Sequence, residues 1–87
     1  MTRYERHITR AQMNDPHRRE RFRHRLMNRM AVFGYGVSDI ALRMDLDEST
    51  VRNWLSDRST PWGMNLRRLA ELLRVTPDYL SGVEIEW

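Results

Sequence analysis

The 87-residue chain has no cysteine and no lysine, only three prolines and four glycines, and no long apolar run. Without cysteine there is no disulfide framework and no cysteine-based zinc site, which suits a reducing compartment. No stretch approaches the roughly 20 apolar residues that a membrane span needs. The first residues lack the apolar segment of a secretory signal, so no leader is expected. Glycine-rich phosphate loops, nucleophile motifs and paired carboxylates are also missing. The three histidines form no credible set. His17 and His24 stand seven apart on one predicted helix with no acid or further ligand beside them. An enzyme, a metal, a cofactor and a small-molecule ligand are therefore not expected, and one small domain is.

Arginine is what the sequence has instead. All 15 cationic side chains other than histidine are arginine, which we read as coding bias rather than a demand for arginine at every site. The net charge of +3 hides an asymmetry. Residues 1–36 hold nine arginines against Glu5, Asp15 and Glu20, whereas residues 37–87 hold six against nine acids. A basic segment of this kind suits a polyanion; a solvated, self-paired helix face is the competing reading.

Hydrophobic periodicity predicts an all-α chain. Residues 1–13 show no sustained apolar period and read as a basic arm; residues 14–82 read as the domain and 83–87 as a tail. Asn14 or Asp15 can cap a first helix, with Pro16 tolerated in its first turn. Phe22, Leu26, Met30 and Phe33 then recur on one face, and Gly34 stops the helix. Gly36 opens a second helix with Val37, Ile40, Ala41 and Met44 on one side. Asp45 suits a sharp left-handed turn, and Leu46 points inward. Asp47 is placed to cap a third helix, in which Val51, Trp54 and Leu55 form the buried stripe. The opposite arc holds Ser49, Arg52, Asn53 and Ser56, with Glu48 at its margin and four residues before Arg52. After a loop around "SDRSTPWG", Asn65 can cap a fourth helix carrying Leu66, Leu69, Ala70 and Leu73. Trp62 in that loop packs on the fourth helix or lies near a sugar-phosphate edge. Thr76-Pro77 starts a short fifth helix that Gly82 closes.

Two short helices around a tight turn, followed by three more, resemble the helix-turn-helix family of phage Cro and CI repressors and their bacterial relatives. The likeness covers about Phe22 to Gly82. It rests on Ile40-Ala41, Leu46, Ser49-Thr50-Val51, Trp54, Pro61 and above all on "LAELLRVTPDYLSG". It implies a five-helix, lambda-repressor-like domain that binds double-stranded DNA and regulates transcription. The third helix would lie in the major groove. By position, Glu48, Ser49, Arg52 and Asn53 would read bases. Arg43, Arg58, Ser59 and Thr60 would contact phosphates, joined by Arg18 and Arg25 from the first helix.

Three positions depart from the family pattern. Val37 stands where a glutamine often holds a phosphate, and Asp45 where glycine often makes the turn. Met30 and Leu55 replace an arginine–glutamate pair, and an apolar contact in its place can be neutral or stabilising. The tail "VEIEW" places Val83, Ile85 and Trp87 on one face of a possible dimerisation strand. A frayed tail and one folded back on its own bundle remain as alternatives. A homodimer on a palindromic operator is expected, because one such domain reads only a half-site. The implied location is the bacterial cytoplasm, on the nucleoid when bound. A protein-interaction module on the same scaffold, antirepressor- or antitoxin-like, and an excisionase-like DNA bender are the rival functions.

Overall fold

The computed structural model describes residues 16–82. The arm, the Asn14/Asp15 cap and the tail with Val83, Ile85 and Trp87 lie outside the described residues. Those described form five helices and no strand: α1 Pro16–Phe33, α2 Val37–Met44, α3 Glu48–Leu55, α4 Gly63–Leu73 and α5 Pro77–Leu80.

Each apolar stripe becomes a face of one core. Phe22, Leu26 and Met30 of α1 meet Ile40, Ala41 and Met44 of α2 and Val51 and Trp54 of α3. Leu66, Leu69, Ala70 and Leu73 of α4 and Leu80 of α5 complete it. Phe33, Val37, Leu46 and Leu55 pack half-buried around this cluster. Met30 and Leu55 thus both join the apolar interior, where the family's ion pair would have required two charges to be desolvated. α2 packs on α3, α4 packs on α5, and α1 crosses α3, α4 and α5.

The turns follow local chemistry. Asp45 adopts the left-handed conformation (φ 57°, ψ 50°), and its N–H closes α2 on Leu42 O at 3.3 Å. At the other end of α2, the Gly36 N–H donates to Asp39 Oδ2 at 2.8 Å. Thr76 caps α5, its hydroxyl accepting from the Tyr79 N–H at 3.1 Å, with Pro77 in the first turn.

Two caps differ from expectation. Asp47 occupies the N-cap position of α3 in extended backbone, but its carboxylate accepts no capping hydrogen bond. Its contribution there is charge facing the positive end of the helix dipole, with Thr50 N–H bonding the Asp47 carbonyl at 3.1 Å. Asn65 does not cap α4. The helix starts at Gly63, with extended Trp62 as the flanking residue. Gly63 takes φ +60°, a conformation that costs glycine little, so the chain turns into the helix two residues earlier.

α1 is held to the C-terminal helices by arginine. Arg29 donates from both Nε and Nη2 to Leu73 O, at 3.0 and 2.8 Å. Arg25 Nη1 donates to Tyr79 O and Arg21 Nε to Gly82 O, each at 2.6 Å. Spacing by four residues puts the three guanidiniums in one row. Their acceptors lie at or just beyond the carboxyl ends of α4 and α5, where carbonyls run short of helical partners, although Tyr79 O also accepts the Gly82 N–H at 3.2 Å. Arg25 also lies over the Tyr79 ring at 4.4 Å, and Arg29 over Phe33 at 5.3 Å.

Candidate nucleic-acid interface

α3 is short, and its two buried residues fix its rotation. With Val51 and Trp54 in the core, Glu48, Ser49, Arg52 and Ser56 are exposed and Asn53 is half-buried. The four proposed base-reading residues therefore share the solvent-facing side of one helix. Arg52 Nη2 donates to Glu48 Oε1 at 2.7 Å, the i,i+4 pair that the sequence allowed. Both side chains are about half exposed, so the pair is worth only a few tenths of a kcal/mol and competes weakly with a new partner.

The loop after α3 is pinned to that helix. Arg58 and Ser59 both donate their backbone N–H to Asn53 O, at 3.0 and 3.3 Å. Asp57 takes the left-handed conformation needed for this reversal (φ 64°). Arg58 and Ser59 are exposed and Thr60 is half-buried, in a loop whose start is tied to α3 through the Asn53 carbonyl. Trp62 is about half exposed beyond them, and the neighbouring Met64 is more so.

The remaining proposed phosphate residues divide. Arg43 is exposed near the end of α2, with its guanidinium over the Tyr35 ring at 4.7 Å; Tyr35 in turn stacks on Phe33 at 5.3 Å. Arg25 has the intramolecular role already described, and Arg18 runs beside Gly82. Neither is brought up to the α3 arc by any of these contacts. Arg19 of α1 reaches the loop after α3, its Nε lying 3.8 Å from Asp57 Oδ1. Of the first-helix arginines, the sequence reading singled out Arg18 and Arg25 rather than Arg19. Its signal was positional: at roughly 100° per residue, Arg19 falls inside the Phe22–Leu26–Met30 stripe, where a cation is out of place.

A buried three-helix support, a tight turn and a short helix with a polar outer arc define a helix-turn-helix DNA-binding domain. Comparison with known families agrees: the family described as HTH_3, helix-turn-helix, matches residues 35–80, which span α2 to α5. The chain belongs to this helix-turn-helix family of XRE-like DNA-binding regulators. Neither the curated proteins nor the solved structures compared with the chain give a match. Among the described residues no helix is long and apolar enough to cross a membrane.

Proposed function

We propose that the chain is a sequence-specific transcriptional regulator of the repressor or Cro type. It occupies an operator with α3 in the major groove and blocks polymerase without chemistry of its own. The observation that carries this reading is the outer arc of α3: polar, exposed and anchored from behind by Val51 and Trp54. Arg52 presents two donors suited to guanine O6 and N7. Asn53 can pair with adenine N6 and N7, Glu48 can accept from cytosine N4, and Ser49 can serve either role. Arg43, Arg58, Ser59 and Thr60 set the register on the backbone. A two-fold dimer on a palindromic site follows from the half-site reach of one domain, with Val83, Ile85 and Trp87 proposed as the pairing strand.

The test is a fluorescence titration against duplexes from the protein's own locus at several salt concentrations. Arg52→Ala or Asn53→Ala is expected to cost about 1–3 kcal/mol of base discrimination while leaving most of the salt dependence intact. Specificity that survives both substitutions would refute the assignment of the α3 face. The exposed acids Asp45, Asp47 and Glu48 favour a second reading, in which this edge of the fold holds a basic protein. That reading predicts a stoichiometric protein partner and no duplex binding at low salt.

A further inference from the structure

Arg18 and Arg19 stand in the first turn of α1, which carries no acid of its own. Cations there face the positive end of the helix dipole, so the helix itself gains nothing from them. Arg19 is the more unusual. Its position falls within the apolar stripe, and its Nε is buried without a hydrogen-bond partner among the described residues. Its ion-pair partner, Asp57, is at 3.8 Å, too far for a hydrogen bond. The two side chains keep 30% and 42% of their surface exposed, so a pair this loose contributes little to stability. Among the described residues the cost of burying that Nε is offset only by the loose pair with Asp57, the kind of local inconsistency expected at a functional position.

Its location says which function. Asp57 opens the loop of Arg58, Ser59 and Thr60, whose first two N–H groups bond Asn53 O of α3. An acid there is unfavourable beside a polyanion unless a cation shares its place. We propose that Arg19 is a DNA-phosphate contact and that Asp57 competes for its guanidinium, holding down sequence-independent affinity. This rests on the reading of α3 and its loop as the DNA face. In the free domain the carboxylate occupies the position of a phosphate. On the duplex, a phosphate oxygen offers the short, charge-assisted hydrogen bonds that Asp57 at 3.8 Å does not make.

The experiment is a fluorescence anisotropy titration of a short mixed-sequence duplex at several salt concentrations, with thermal melts of each variant. No operator has to be known. Asp57→Asn removes the charge and keeps a residue that tolerates the left-handed conformation. One phosphate contact changes log K by about 0.9 log[salt], or roughly eightfold near 0.1 M. Arg19→Ala is expected to weaken binding by up to that factor and to make the salt slope shallower by about 0.9. Asp57→Asn is expected to tighten binding several-fold and steepen the slope, and the double variant to bind like Arg19→Ala. Melting temperatures should stay close to wild type.

Unchanged affinity and slope in either single variant would overturn the proposal. So would a gain from Asp57→Asn that persists without Arg19, because the acid would then act by long-range repulsion alone. Failure of the wild-type protein to bind any duplex at low salt would instead remove the DNA-binding reading itself.

Discussion

Gly82→Ala should destabilise the domain by about 3 kcal/mol or more. Three costs combine. Gly82 sits at φ +88°, a region that burdens an L-residue by about 1–2 kcal/mol. An added Cβ would lie 2.6 Å from the Arg18 carbonyl oxygen and 3.2 Å from the Arg18 Cα. Both are backbone atoms in the first turn of α1, so no side chain can swing aside, and overpacking of this kind costs about 1–3 kcal/mol. Relief requires the end of α5 to lift off α1, which strains the 2.6 Å bond from Arg21 to Gly82 O. Against a total stability on the order of 5–15 kcal/mol the loss is severe, and it should lower the melting temperature by roughly 12–24 °C. Gly34→Ala is the control. Its φ is +69°, but nothing lies within 4 Å of the new Cβ, so only the conformational term applies. Thermal melts followed by circular dichroism compare the two. Equal losses would mean that the close approach to Arg18 is unimportant.

Gly34 and Gly82 were both legible as helix stops, because a stop is a local property of backbone and residue type. The close approach of Gly82 to α1 was not, since it joins positions 64 residues apart. The core was legible for the same reason as the stops. Phe22, Leu26 and Met30, or Leu66, Leu69, Ala70 and Leu73, follow the helical period, and burial follows the stripe. Asp45 was legible because few residues other than glycine accept the left-handed conformation. Asn65 misled because it is a good cap two residues after a better entrance: the conformational freedom of Gly63 outweighs a side-chain acceptor.

The arginines were the least legible part. A guanidinium is satisfied by a carbonyl, a carboxylate or a phosphate, and a sequence does not say which lies opposite. The excess of arginine over acid in residues 1–36 pointed to a polyanion, and the competing reading was a self-paired face. α1 fits neither simply. Arg21, Arg25 and Arg29 hold carbonyls on one side of the apolar stripe, whereas Arg19 leans toward the α3 loop. Bonding to a carbonyl leaves the positive charge in place, so the first row still adds to the field around the domain. One or two donors of each guanidinium are taken up by these carbonyls.

Arg29 separates these two roles most sharply. Arg29→Ala should cost about 2–4 kcal/mol of stability. Hydrogen bonds to a charged donor are worth about 1.5–3 kcal/mol, and here two converge on a single carbonyl at the end of α4. The cation–π contact with Phe33 adds about 0.5–1 kcal/mol. The neighbouring carbonyls are already served by the left-handed cap at Arg74, where Arg74 N–H meets Glu71 O and Val75 N–H meets Ala70 O. The cap donates nothing to Leu73 O, so losing Arg29 strands an acceptor in a half-buried seam. Arg29→Lys keeps the charge but loses the paired donors and the flat face, and should recover less than half of the loss. Urea titrations measure both variants, with the m-value expected to stay constant. The same proteins should bind duplex DNA, at temperatures where they are folded, with a salt slope like that of wild type. A slope shallower by about 0.9 in Arg29→Ala would place this guanidinium on a phosphate and would refute its assignment to the fold.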